Sequence, residues 1–573
     1  MKLRTSLCNP TALRKDITRF APVWVLYTVG LFMMLTVVML DGSEFYQTSG
    51  MVGSLSFMGS VNLCYGLLNA QLLFGDLFSA RHCNALHAMP LRRECWFVTH
   101  VISGLLFAFV PNLLMSVIAM TLLGAGRVVA AWWLLAAMLQ YLFFFGLAVC
   151  SALCVGNRFA MVLVYAIVNF FSLLVYWFYY AIYEPLLYGV FMEPNAFTRF
   201  CPVWVMIENY ELVNVIPNDG GDYWNRTVHS VVMGEGWGYL AICAALGVAL
   251  LGIALMLYRR RQLESAGDFM AVRALEPVFL VLYTLSMAAG FQVFTELFGG
   301  NEYIFLGLGL IVGFFTGRML LMRTTRVFQV KGFLWFAVLT VAFAGTMVLT
   351  WLDPIGFTRR IPTADQIQSV QMSDYYTPSN SNAPVLTEAG DIETVRQIHQ
   401  LVLDGQIEEL DGKPEEEIYY ENLSIHYVLN NGTTVSRKYS VATGSPAGQR
   451  AEEFYTRPEY VLGSDDVDFL MENMTYAYYS DQRKEINGQI NHLDPEMNAM
   501  LRDLMEAIIA DCREGTMAQS YGYHVDEEQL GWIEFGFDNE SSLISFCQIT
   551  VYECNRHTVA YLEENEIVVG RYG

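Results

Sequence analysis

Nine stretches of this chain are apolar over roughly the 20 residues that a helix needs to cross the hydrocarbon core of a bilayer. They run 20–40, 51–74, 96–123, 128–155, 159–182, 237–258, 277–297, 303–321 and 333–351. Lipid offers no partner to a bare peptide group, so such stretches must become helices or strands of a closed barrel. Their apolar character is continuous rather than alternating, which selects helices. All nine precede Leu352, and the chain beyond it has a different character. From Leu352 onward, 39 Asp+Glu face 14 Lys+Arg, a balance of −25; up to Trp351, 17 acids face 20 bases, a balance of +3. The expected fold is a polytopic α-helical membrane protein with about nine transmembrane helices, followed by an acidic, soluble α+β domain.

The basic residues orient the body. Lys and Arg collect on the cytoplasmic side of membrane proteins. With the N-terminus inside, 17 of the 20 basic residues before Leu352 fall in inner segments, and Arg127, Arg199 and Arg226 alone fall outside. Nine spans then put the C-terminal domain in an extracytoplasmic position. The first tract is expected to be retained rather than cleaved as a signal. It begins some 20 residues in, is long for a signal core, and exits through Asp41-Gly42-Ser43-Glu44 without a small-x-small site.

Ahead of that tract, Asn9-Pro10-Thr11 is a helix start. Leu13, Ile17 and Phe20 share a face there, with Arg14, Lys15 and Arg19 elsewhere. This predicts either an amphipathic helix in the inner interface or a plain positive flank. The outer loop 183–236 is too apolar to be fully solvated, so part of it is expected to dip into the membrane or pack on helix ends. Beyond Leu352, residues 418–441 form a hairpin around Asn430-Asn431-Gly432. Helices are expected at 391–403 and from Asp494-Pro495, and strands at 532–537 and 545–552. No internal repeat is evident. Eight of eleven cysteines lie in the membrane half; Cys512, Cys547 and Cys554 lie in the acidic domain, where a Cys547–Cys554 bridge is one available pairing.

Catalytic and metal-binding signatures are missing. No phosphate-binding loop of the G-x-x-x-x-G-K-[ST] type occurs, so an ATP-driven activity needs a second chain, and neither a cofactor nor a metal is expected on this one. Gly444-Ser445-Pro446-Ala447-Gly448 lacks the spacing of a serine nucleophile turn and reads as a loop. His82, Cys83 and His87 are spaced wrongly for one helical face. The acid runs 415–417 and 465–468 lack the alternating ligands of a calcium loop. Nothing suggests nucleic-acid binding. Polar residues within the spans carry more information, because each is costly there. Asn62, Asn69, Gln71, Asn112, Gln140 and Asn169 either bond helices together or line a candidate substrate path. Deep charges are scarce, Asp76 and Glu296 lying near span ends, which weighs against ion-coupled transport.

Three runs carry a family resemblance: Leu86-His87-Ala88-Met89-Pro90-Leu91-Arg92-Arg93, residues 257–268 with Arg259-Arg260-Arg261, and Asp353-Pro354-Ile355-Gly356-Phe357. With the basic N-terminal helix and the long outer loop, they resemble the permease subunit of ABC-2-type transporters, in the YtrC/YtrD-like branch. The resemblance implies an N-terminal cytoplasmic helix (1–19), a six-helix permease core (20–258), three additional spans (259–351) and an extracytoplasmic domain (352–573). It implies a bacterial cell-membrane protein that pairs with a second permease subunit and with ATPase subunits, which bind the ATP. The coupling segment would be 81–94, with His87, Met89, Pro90, Leu91, Arg92 and Arg93 meeting the ATPase. The rival expectation is a polytopic sensor whose outer domain binds a ligand; an intramembrane enzyme is weaker still, for want of clustered catalytic residues.

Overall fold

The structure is a computed structural model, and it describes residues 8–39, 44–88, 92–122, 127–192, 195–208, 212–218, 227–373, 384–405, 419–462, 474–481, 486–491, 495–517, 528–537 and 546–565. The chain divides into two compact units. One holds residues 1–182 and 194–346; the other holds 183–193 and 347–573.

The first unit is helical. Its helices are α1 (Pro10–Arg19), α2 (Ala21–Met39), α3 (Glu44–Leu73), α4 (Ala80–His87), α5 (Arg93–Leu122), α6 (Arg127–Cys154), α7 (Arg158–Asn169), α8 (Phe171–Phe178), α9 (Asn195–Thr198), α10 (Pro202–Glu208), α11 (Trp237–Arg260), α12 (Glu276–Phe298), α13 (Glu302–Met322) and α14 (Val330–Leu352). Seven of these are long and apolar enough to cross a membrane, or nine spans if each of two bent pairs counts as one. In both pairs, α1 with α2 and α7 with α8, the bend is 61°. The first bend separates an amphipathic helix from an apolar one. Asn9 Oδ1 accepts from the amides of Thr11 and Ala12 to start α1, and Phe20 N closes it on Asp16 O. The second bend falls at Phe170, so the tract 159–182 is two helices and a closing π turn, Tyr179–Tyr183, rather than one straight helix.

One apolar core joins α2, α3, α5, α6, α7 and α11, with Trp133, Tyr141, Phe144 and Phe145 of α6 fully buried at its centre. Helix α6 meets α11 where two glycines face each other: a Cβ on Gly146 would lie 2.5 Å from Gly247 O, and one on Gly247 would lie 2.6 Å from Leu142 O. Small residues of this kind let helix backbones approach in lipid-like surroundings. The loop after α8 packs as expected rather than dangling. Cys201, Val203, Met206, Leu212 and Val213 join the same core, and β1 (Val213–Pro217) pairs antiparallel with β2 (Val228–Met233).

The second unit contains β3 (Ile367–Ser373), α15 (Ala389–Asp404), β4 (Tyr420–Leu429), β5 (Thr434–Ala442), α16 (Pro446–Tyr455), α17 (Pro458–Leu462), β6 (Met474–Asp481), β7 (Ile486–Asn491), α18 (Pro495–Glu514), β8 (Gln529–Phe537), β9 (Phe546–Tyr552) and α19 (Arg556–Glu564). The expected hairpin is β4–β5, turning at Gly432 with φ +77°. Gly444–Gly448 is not a plain loop: Ser445 Oγ accepts from Gly448 N at 3.1 Å and starts α16.

The unit is also a duplication, which the sequence did not reveal. Its sheets run β3-β4-β5, with Leu386 bridged to Val370 on the free side of β3, and β7-β6-β8-β9. A helix from between the early and late strands, α15 or α18, packs on each, and a short helix follows the last strand. A shift of 110 residues carries the pair Leu423–Tyr439 onto Ile533–Ile549, and 445 onto 555. At both of the latter the amide closes the same turn, Ser445 N on Ala442 O and Asn555 N on Tyr552 O. The copies share backbone register and burial, while few side chains are alike. Each copy has its own core. The acid runs 415–417 and 465–468 and the stretch 376–383 lie outside the described residues. No disulfide joins Cys547 to Cys554: Cys547 Sγ sits 3.6 Å from Val461 O and Cys554 Sγ 3.6 Å from Thr516 O.

Candidate functional site

The segment between α3 and α5 is the first candidate. After α3 the chain makes a 3-10 turn, Gly75–Phe78, and then α4. Arg81, His82, Asn84 and Ala85 of α4 are exposed, and Cys83 is buried against the bundle. Asp76 Oδ1 lies 3.5 Å from His82 Nδ1. Of the residues expected to couple to an ATPase, His87 is the last of α4, Arg92 is exposed, and Arg93 is the first residue of α5. Met89, Pro90 and Leu91 lie outside the described residues. Arg93 Nη1 donates to Arg261 O at 3.4 Å, and Arg259 pairs with Glu94 at 3.3 Å, so the start of α5 is tied to the end of α11.

A polar layer inside the bundle is the second. Asn62 and Gln140 meet: Asn62 Nδ2 donates to Gln140 Oε1 at 3.1 Å, and Gln140 Nε2 donates to Leu55 O at 3.2 Å. Asn69, two turns along α3, donates to Tyr141 OH at 2.9 Å, and that hydroxyl donates to Gly104 O at 2.9 Å. Asn112 donates to Tyr27 OH at 3.1 Å, and the Tyr27 ring stacks on Tyr65 at 3.8 Å. These residues cross-link α2, α3, α5 and α6, and Asn62, Asn69, Asn112 and Gln140 are fully buried. Two of the six expected residues stand apart. Asn169 donates within its own helix to Tyr165 O, and Gln71 donates to Arg158 O. The side-chain oxygens of Asn62, Asn69, Asn112 and Asn169 have no protein partner. In helical bundles this is the usual outcome: backbone N–H groups are spent within the helices, whereas carbonyls keep a second lone pair for an amide donor.

Sequence reading passed over the tyrosines of this layer and a buried acid. Asp16 Oδ2 lies 2.9 Å from His100 Nδ1 and accepts from Ser103 Oγ at 2.8 Å, which locks α1 onto α5. The signal was present, since Asp16 lies four residues from both Ala12 and Phe20 on the packed face of α1, and His100 is a titratable residue within an apolar tract.

In the second unit, residues 188–191 add a strand-like edge to β5. Lys438 N donates to Gly189 O at 3.0 Å, Val190 bridges Arg437, and the Tyr188 and Tyr439 rings lie 5.3 Å apart. Beneath that edge, His399 is fully buried between two hydroxyls, with Nδ1 3.1 Å from Tyr427 OH and Nε2 2.7 Å from Tyr439 OH. Burial first, and the Arg437 cation second, push its pKa down to about 3. The second copy has the apolar Ile549 at the register position of Tyr439. Asp511, Glu514 and His557 approach within reach of a common ion. Asp511 is already occupied, accepting from His557 N, Thr558 N and Thr558 Oγ1 at 3.0, 2.8 and 2.6 Å to start α19.

Compared with known proteins, the chain matches no protein-family model, no curated protein and no solved structure.

Proposed function

We propose that this chain is the permease subunit of an ATP-driven ABC-2-type exporter in a bacterial cell membrane. ATP is hydrolysed by a separate ATPase subunit that docks on residues 81–94, and a second permease subunit completes the pathway. The observation that carries this reading is α4: a short helix between two long apolar ones, polar and exposed on one side and anchored on the other. A chain without a phosphate loop must receive work mechanically, and a short rigid element at the helix ends is what such a contact requires. The buried amides act in this reading as bonds between helices around the path.

Topology has independent support. Residues 183–193 follow α8 and belong to the same compact unit as the acidic domain. Four candidate spans, α11 to α14, separate them in sequence, and an even number returns the chain to the same side. With the basic inner rim, this favours nine spans, a cytoplasmic N-terminus and an extracytoplasmic C-terminal domain. A Thr433→Cys variant, at the exposed β4–β5 turn, tests it. Labelling by a membrane-impermeant maleimide in intact cells is expected, and labelling only after lysis refutes the topology. Function is tested by co-purification of an ATPase subunit with the full chain, lost on combining Pro90→Ala with Arg92→Glu. Retained assembly and ATP-dependent activity would sink the docking assignment.

The contact of residues 188–191 with β5 favours one second reading, a membrane sensor. There, ligand binding by the outer domain would be felt directly by the segment that continues α8.

A further inference from the structure

Arg261, the residue that ends α11, sends its guanidinium to three main-chain oxygens. Nη1 donates to Ala152 O at 3.1 Å and Leu153 O at 3.2 Å, and Nη2 reaches Leu77 O at 3.4 Å. Its own carbonyl accepts from Arg93 Nη1. The first two oxygens belong to the last turn of α6, the third to the 3-10 turn leading into α4, and the donor to the first residue of α5. Four elements thus meet at one side chain and its backbone. Among the described residues, Arg261 forms no ion pair with a carboxylate. A cation suits the carbonyl end of α6. The planar fork of a guanidinium holds two separate segments from two different nitrogens, whereas an ammonium would have to reach both from one.

We propose that Arg261 is the positioning residue through which a displacement of α4 reaches the spanning helices α6 and α11. This rests on the permease reading, in which an ATPase bears on α4. Movement of α4 pulls on Leu77 O, and the same guanidinium holds the end of α6, so the two shift together or the bonds break. Charge-assisted bonds are roughly twice as strong as neutral ones, which favours moving together. The surroundings stiffen the junction. Residues 261–275 are laced to the turn after α6 through Gly267 N to Gly156 O at 2.7 Å and Ala271 N to Cys154 O at 2.8 Å. Gly156 has no room for a side chain, a Cβ there lying 2.3 Å from both Asp268 O and Ser265 O. Asp268 pairs in turn with Arg323 at the end of α13, at 3.0 Å, which brings the additional helices into the same block.

A residue that only capped α6 would affect stability and leave energy coupling alone. The test therefore uses the full chain with its ATPase subunit in liposomes, comparing wild type, Arg261→Gln and Arg261→Lys. Two quantities are read: the ATPase-to-permease stoichiometry, and the factor by which the permease changes the rate of ATP hydrolysis. Arg261→Gln is expected to keep the stoichiometry and to lose that factor by about tenfold, the scale of one charge-assisted hydrogen bond. Arg261→Lys is expected to be intermediate, because a single ammonium nitrogen would have to reach both α6 and Leu77. A wild-type factor in Arg261→Gln overturns the proposal. So does loss of the ATPase from the variants, since Arg261 would then belong to the docking surface. Hydrogen exchange on the wild-type complex gives a second measurement that needs no variant. A matched change in α4 and the end of α6 on adding MgATP supports the proposal, and a change in α4 alone overturns it. Failure of the wild-type chain to recover any ATPase refutes the permease reading itself, and that arm is read before the variants.

Discussion

Acidification should loosen the first copy of the duplicated domain, through His399. The ring is fully buried, one nitrogen donating to a tyrosine hydroxyl and the other accepting from one. Protonation there means placing a cation without water beside Arg437, and the folded pKa falls from 6.5 to about 3. In the unfolded chain the same ring titrates near its ordinary value. The unfolded state therefore binds the extra proton between those two values. The neutral histidine's contribution is complete above the unfolded pKa, is lost progressively as pH falls from 6.5 towards 3, and changes no further below that. At pH 5 the loss is about 2 kcal/mol, from roughly 1.5 pH units at about 1.4 kcal/mol each. Hydrogen exchange of α15, β4 and β5 in the full-length chain at pH 7 and pH 5, corrected for intrinsic rates, reads it directly. Other groups titrate in this range, so the comparison is with His399→Gln, which keeps a donor and an acceptor but does not titrate. The wild type is expected to lose about 2 kcal/mol more opening free energy than the variant over this interval. Equal pH slopes in the two proteins would refute the account, and so would a steeper slope in the variant.

Gly189→Val places a β-branched side chain at φ +68°, with its Cβ 1.8 Å from the Tyr439 ring; exchange at the Lys438 amide should rise about tenfold or more, while the second sheet is unchanged. Asp511→Ala removes the acceptor of three donors at the start of α19, and urea titration should show a loss of about 2–3 kcal/mol, Asp511→Asn losing less. Asn62→Leu combined with Gln140→Leu in a double-mutant cycle should give a coupling of about 0.6 kcal/mol in detergent unfolding, and a coupling near zero would deny the bond between α3 and α6 any weight.

Local signals located most of the elements. Eight of the nine apolar tracts became a single long helix, α3 alone starting seven residues ahead of its tract, because desolvation of the peptide backbone is decided tract by tract. Asn9, Gly432 and Pro495, the first residue of α18, mark ends through chemistry confined to a turn. The break at Phe170 gave no such signal, since Asn169-Phe170-Phe171 contains neither proline nor glycine. The duplication was equally silent. A 110-residue shift preserves register and burial, yet puts Ile549 opposite Tyr439 and Cys547 opposite Arg437 in the alignment of copies. Of the residues proposed to couple, Arg92 and Arg93 stood out by charge, but Arg261 was one of three arginines in a row, with nothing in the sequence to separate it from Arg259 and Arg260.

What the sequence determined by itself is the division of the chain into apolar helices and an acidic α+β domain. Transfer free energy is additive along the chain, so composition is enough to set it. Tertiary structure alone decided which polar groups meet. Asn62 finds Gln140 across 78 residues, Asp16 finds His100 across 84, His399 finds Tyr439 across 40, and Arg261 reaches Leu77 across 184. A buried polar group is satisfied by whatever partner the packed helices and sheets bring within hydrogen-bond distance. That depends on crossing points such as Gly146–Gly247, set by close packing across the whole bundle.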